Sequence, residues 1–141
     1  VLGYDIVKNE SLVSLDNFEY SSLENLISSS DIISLHVPLL PQTKHMINKD
    51  TIDQMKDGVI LLNASRGGLL DESALLDGLN SGKIAGIGLD VYETEPVLSN
   101  NTLVNHPLSV TTPHIGAQTS EASRNNSMIV TQKLLEFFSI N

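Results

Sequence analysis

Short β-rich runs alternate with stretches of helical spacing along this chain, and that alternation constrains its fold more than any other feature. The runs are Val1 to Ile6, Asp31 to Val37, Val59 to Asn63, Ala85 to Val91 and Ser109 to Thr112. Between them lie helical patterns: Ser22 to Ser28, Asn48 or Lys49 to Met55, Asp71 to Ser81, and about Thr119 to Phe138. In the third, Asp71 is placed to cap, Leu75, Leu76 and Leu79 form one stripe, and Gly82 is placed to terminate. Strand–helix alternation of this kind predicts βαβ units, a parallel sheet and an open doubly wound α/β architecture. The first four runs are nearly continuous in apolar character, which predicts strands covered on both faces.

At 141 residues the chain can bury one domain's core. Aromatics are 4% and Trp is absent, so that core must be mostly Leu, Ile and Val. Seventeen acidic against eight basic residues give a formal charge of −9, which opposes binding to nucleic acid and to anionic membrane surfaces. No apolar run approaches the roughly 20 residues of a membrane-spanning helix. The chain has no cysteine, so it has no disulfide framework or thiolate chemistry, and a reducing, cytoplasmic setting is expected. Val1 opens directly into a strand-like run, and the chain is expected to be a piece of a longer protein.

In an open α/β sheet, ligands gather outside the carboxyl ends of the strands. Those ends carry Asp5, His36, Asn63 to Arg66, Asp90 to Glu95, and Pro113 with His114. Asp5 can accept two hydrogen bonds from a ribose diol and repel a 2′-phosphate; it can equally be a cap or a solvated turn residue. Arg66 sits in Ala64-Ser65-Arg66-Gly67-Gly68 at the end of a greasy run. Its guanidinium offers a planar fork that matches a carboxylate, although it can also be a surface arginine beside a glycine turn. Glu95 precedes Pro96, which biases it to extended backbone. His114 lies between a strand and a helix, with Gly116 leaving room beside it. A glutamate near a histidine orients the imidazole and favours the imidazolium, making a matched acid–base pair.

His36, before Val37 and Pro38, reads as backbone lining of a ligand site; His45 and His106 read as loop residues. The four histidines lack metal-site spacing, so no metal is expected. Gly86-Ile87-Gly88 points only to close packing. Neither a Gly-x-Gly-x-x-Gly loop nor a P-loop occurs.

Three stretches together resemble the D-isomer-specific 2-hydroxyacid dehydrogenases: "SDIISLHVPLLPQTKHMIN", "MKDGVILLNASRGGLLDESALLDGLNSGKIAGIGLDVYETEP" and "TPHIGAQT". They occur in the family's order and spacing, and the resemblance covers essentially the whole chain. It implies a Rossmann-like fold, NAD as cofactor, a small anionic 2-hydroxy or 2-oxo acid as substrate, and a homodimer. It implies that Arg66 binds the substrate carboxylate, that His114 is the acid–base and that Glu95 pairs with it. It places Asp90 near the nicotinamide carboxamide and Asp5 on the ribose. The expected cofactor-lining set is Asp5, Ile6, His36, Val37, Pro38, Thr43, Ala64, Ser65 and Asp90, with Arg66, His114 and Gly116.

The family carries a strand and a Gly-rich loop ahead of the position of Val1, so residues 1–141 are expected to form most of one nucleotide-binding domain. Its sheet is then incomplete, and the family's substrate-binding domain is absent. In the order 3-2-1-4-5-6 the missing strand is expected between the first and third strands read here, and the fragment alone is expected to be inactive. "TPHIGAQTSEASRNN" looks most like the subgroup that oxidises 3-phosphoglycerate in serine biosynthesis. The alternatives are a glyoxylate or hydroxypyruvate reductase and a non-catalytic, NAD-sensing binding module of the corepressor kind.

Overall fold

The structure, a computed structural model, describes residues 1–138. In chain order the elements are β1 (Leu2–Gly3), α1 (Glu10–Val13), β2 (Glu19–Tyr20), α2 (Leu23–Ser29), β3 (Ile32–Leu35), α3 (Lys49–Gln54), β4 (Val59–Asn63), α4 (Glu72–Ser81), β5 (Ile84–Leu89), β6 (Ser109–Thr111) and α5 (Ser120–Phe137). All strand pairings are parallel: β1 pairs with β2, and β3, β4, β5 and β6 form a second sheet in that order.

Local chemistry explains where the helices begin. Ser22 accepts from Asn25 N–H at the start of α2. Asn48 and Thr51 form a reciprocal capping box at α3. Asp71 accepts from Ser73 and Ala74 at α4, which ends at Gly82 with φ +79°. Each cap satisfies backbone donors that the first helical turn leaves free, and the left-handed glycine lets the chain turn away without a Cβ clash.

The core lies on one side of the larger sheet. Ile33, Leu35, Val59, Leu61, Ile87 and Leu89 point into it and meet Ile27, Ile52, Leu75 and Leu79 from α2, α3 and α4. The opposite face is bare: Ile32, Ile60, Leu62 and Val110 are exposed. The expectation of strands covered on both faces is therefore met on one face only. Along β4 burial alternates residue by residue, with Val59, Leu61 and Asn63 buried and Ile60 and Leu62 exposed. Helix α5 also buries none of its residues among those described, although its apolar positions are spaced for an amphipathic face.

The first strand is shorter than expected, Leu2–Gly3 rather than Val1 to Ile6. Sequence reading also passes over β2, because Glu19 and Tyr20 are too few to show a period. Its presence corrects the position of the break in the sheet. β2 takes the place beside β1 that Asp31 to Val37 was expected to take, and β3 pairs with β4 instead. The break thus falls between β1 and β3. A cavity of about 360 Å³ lies there, lined on one side by Leu2, Gly3 and Asp5 and on the other by Ile32, Ser34 and His36.

Register aligns the strand ends. Leu35 is paired with Asn63, Asn63 with Leu89, and Leu89 with Thr111. The loops that follow these residues leave the sheet along one edge, and they carry most of the candidate site residues.

Candidate active site

The loop after β4 is built around Asn63, which is 2% exposed. Its Nδ2 donates to the Arg66 carbonyl at 2.9 Å, and its Oδ1 accepts from Ser65 N and Ser65 Oγ at 3.1 and 3.0 Å. One buried amide therefore folds the loop back on its own strand. The loop also packs closely on its neighbour: a Cβ on Gly67 would collide with the Tyr92 carbonyl. Only glycine permits that approach. Arg66 is exposed, and its Nη1 donates to the Ser65 carbonyl at 2.6 Å. Ala64 is exposed and Ser65 half-buried in the same loop.

The loop after β6 is built around Asp90. This carboxylate is 7% exposed and accepts from Thr112 Oγ1, from Ile115 N at 2.9 Å and from Gly116 N at 2.8 Å. Burial pushes its pKa up, but those hydrogen bonds outweigh burial and hold it below the ordinary carboxylate range. Asp90, expected beside a nicotinamide carboxamide, bonds its own chain through both oxygens, two donors on Oδ1 and one on Oδ2. Its donors flank His114, whose φ of +56° is left-handed. Two backbone donors bound to one anion hold that unusual turn in place.

The turn brings His114 to Glu95. Nδ1 of His114 lies 2.7 Å from Glu95 Oε2, and Glu95 Oε1 accepts from Tyr92 N at 3.0 Å. The bond with His114, followed by that from Tyr92 N, holds the Glu95 carboxyl below its usual range. An ionised carboxylate only accepts, so Nδ1 carries the proton and Nε2 remains for a ligand. The His114 side chain is 48% exposed. Beside the pair is a recess of about 120 Å³ lined also by Tyr92, Pro96, Val97 and Pro113. Tyr92, which sequence reading did not single out, is buried and donates its hydroxyl to the Thr112 carbonyl at 2.9 Å. Burial pushes that hydroxyl's pKa up.

The structure thus brings Glu95 and His114 together, while Arg66 stays on the neighbouring strand's loop with its hydrogen bond to Ser65. The other expected residues fall at the break in the sheet or on the next loop. Asp5 is exposed and accepts from Val7 N at 3.1 Å in a local turn; Ile6 beside it is exposed. His36 Nε2 is 2.9 Å from Ser34 Oγ. Val37 is half-buried and Pro38 exposed. Thr43 spends its hydroxyl inside its loop, donating to the Pro38 carbonyl at 2.7 Å and accepting from Leu40 N at 2.8 Å. The residues fit one end of a dinucleotide: the cavity between β1 and β3 runs along both strands at the break in the sheet, and Asp5, exposed at its rim, is a carboxylate of the kind that accepts from a ribose diol. Among the described residues no group of three or more His, Asp or Glu could hold a metal ion, and no helix is long and apolar enough to cross a membrane.

The family model "D-isomer specific 2-hydroxyacid dehydrogenase, NAD binding domain" matches residues 1–116. A hydroxypyruvate reductase from Blautia hydrogenotrophica is 46% identical over 97% of this chain and 42% of its own length. A D-3-phosphoglycerate dehydrogenase from Bacillus subtilis is 47% identical over 82% of this chain and 22% of its own. The NAD-complexed structure of a D-isomer specific 2-hydroxyacid dehydrogenase from Lactobacillus delbrueckii ssp. bulgaricus superposes with a TM-score of 0.85 at 30% identity. It covers 98% of this chain and 46% of that one. The chain spans less than half the length of each of these proteins.

Proposed function

Because this chain belongs to the D-isomer specific 2-hydroxyacid dehydrogenases, as their NAD-binding domain, we propose that the protein is an NAD-dependent oxidoreductase of D-2-hydroxy acids. The hydrogen bond between His114 and Glu95 at the strand ends carries this reading. In the reductive direction His114 Nε2 gives a proton to the substrate carbonyl oxygen; in the oxidative direction it takes the hydroxyl proton. Glu95 keeps the ring oriented and stabilises the imidazolium in either direction. Arg66 binds the substrate carboxylate through its two-pronged fork, which fixes the reacting carbon in place. When bound, the cofactor would supply the hydride acceptor in oxidation, as NAD, and the hydride donor in reduction, as NADH. Asp5, Ile6, His36, Val37 and Pro38 are the residues we assign to the cofactor, with Ala64, Ser65 and Gly116 nearer its reacting end.

Among substrates we propose 3-phosphoglycerate. The segment from Thr112 to Asn126 supports it, as does the identity to the Bacillus enzyme. Hydroxypyruvate is the alternative, since the reductase from Blautia is as similar over a longer span. The reading includes a homodimer. The chain spans less than half the length of these relatives, and the activity proposed is that of the whole protein.

The test is NADH-linked turnover by the whole protein with 3-phosphohydroxypyruvate, hydroxypyruvate and glyoxylate. A preference for the phosphorylated acid supports the reading in full. Absence of any rate with every 2-oxo acid, alongside intact NADH binding, would replace it with a binding module.

A further inference from the structure

A second cluster of ionisable side chains lies beside the site, and the functional reading above leaves it unused. His45 follows β3, Glu72 opens α4, and Glu93 follows β5. Nε2 of His45 lies 3.1 Å from Glu93 Oε1. The same oxygen accepts from Glu72 N at 3.1 Å, and Glu72 Oε1 accepts in return from Glu93 N at 2.8 Å. Glu72 N is one of the donors that the first turn of α4 leaves without an intrahelical partner, because Asp71 is occupied by Ser73 and Ala74. Three loops that sequence places far apart are thereby tied at one carboxylate.

His45 holds this tie in a costly conformation. Its φ is +48°, a left-handed value rare for a residue with a Cβ. Its N–H donates to the Gly68 carbonyl, 2.8 Å away. Two residues on, Ile47 N donates to the Leu69 carbonyl and Asp71 N to the Ile47 carbonyl. The backbone of residues 45–47 is therefore bonded to residues 68–71, the segment that follows Arg66. Gly67, in the same loop, packs against Tyr92, the residue before Glu93. From Glu93 the connection continues through Tyr92, whose N–H is bound by Glu95, to His114.

We propose that His45 and Glu93 are positioning residues. Together they fix the distance between the Arg66 loop and the Glu95–His114 pair, so that a substrate held by its carboxylate presents its carbonyl to the imidazole. Neither residue touches substrate in this scheme. It rests on the dehydrogenase reading given above, and it adds that the pair sets substrate binding while leaving cofactor binding alone. A displacement of about 1 Å at such a site costs on the order of 10²-fold in rate.

The experiment uses the whole protein and the variants His45→Ala, His45→Gln, Glu93→Ala and the His45→Ala/Glu93→Ala double variant. Binding of oxamate, a non-reacting 2-oxo acid mimic, is measured by calorimetry in the presence of NADH, with KM and kcat for the preferred 2-oxo acid measured alongside. The expected result is a loss of oxamate affinity and a rise in KM of about tenfold or more in either single alanine variant, with NADH affinity within twofold of the unsubstituted protein. His45→Gln, which can still donate to Glu93, should restore most of the loss. The double variant should be little worse than either single one, as required of two residues acting as one unit. Additive losses, or unchanged oxamate affinity in a variant whose unfolding midpoint falls, would reduce the tie to a structural one and overturn the proposal. Failure of the dehydrogenase reading is distinguishable, because it would show in the unsubstituted protein as no turnover with any 2-oxo acid. The tie is then judged by amide exchange: unaltered protection of Glu72 and Glu93 N–H in His45→Ala overturns it.

Discussion

Glu95 holds two different donors, one on each carboxylate oxygen: the His114 ring at 2.7 Å and the Tyr92 backbone at 3.0 Å. The second bond fixes the carboxylate, and the first passes that constraint to the imidazole. Glu95→Gln keeps the shape but places an uncharged amide against Nδ1, so the imidazolium loses its counter-charge. The kcat of the whole protein should fall about 10²-fold or more, with NADH affinity unchanged. A kcat within threefold of the unsubstituted protein would remove Glu95 from the mechanism.

Arg66 is exposed, and among the described residues its guanidinium makes one hydrogen bond, to the neighbouring Ser65 carbonyl. Charged hydrogen bonds contribute about 1.5–3 kcal/mol each. Arg66→Ala should therefore raise KM for the 2-oxo acid by about 10²-fold while leaving NADH binding nearly intact. Calorimetry with each ligand separates the two effects, and equal loss of both affinities would refute a carboxylate-binding role.

Asp90 supplies a pH-dependent part of the stability of the His114 turn. Its folded pKa is depressed, so its contribution is fully present above the unfolded value of about 3.9. That contribution is lost as pH falls through the lower folded value. Asp90→Asn turns an N–H₂ group towards a backbone donor and should cost about 1–3 kcal/mol near pH 7. The gap between variant and unsubstituted protein, read by urea unfolding, should narrow as pH drops below 4. A gap constant from pH 7 to pH 3 would show that the charge on Asp90 contributes nothing.

Gly67 stands where no side chain fits, against the Tyr92 carbonyl. Gly67→Ala must push the Arg66 loop off the loop after β5, at a cost of about 1–3 kcal/mol. Gly82→Ala, by contrast, meets no atom and carries only the strain of its left-handed φ. Paired thermal melts, with oxamate binding, should show lost affinity in Gly67→Ala alone.

The break between β1 and β3 has a dynamic consequence. β4 and β5 are paired on both sides, whereas β1 holds only two residues, paired to β2. In the 141-residue chain, amides of Leu61, Leu62 and Ile87 should be the most protected from exchange, and those of Glu19 and Ser21, which donate to β1 and its flank, the least. Equal protection of both sheets would mean that the break is filled in solution.

Periodicity and capping chemistry are local, and the residues themselves determined them. The runs at Val59 to Asn63 and Ser109 to Thr112, the cap at Asp71 and the stop at Gly82 all depend on neighbours within a few positions. The strand ends also announced where Arg66, Glu95 and His114 would lie, because an open parallel sheet puts its loops along one edge. Tertiary structure decided what local pattern does not encode. It put the two-residue β2 outside β1, moved the break next to β3, and left one face of β4 bare. It gave the Asp90 carboxylate to Thr112, Ile115 and Gly116, residues more than twenty positions away. It joined His45, Glu72 and Glu93 across three loops. Such bonds depend on how crossovers stack strands side by side, and the energy of one hydrogen bond is too small to appear in the spacing of a sequence.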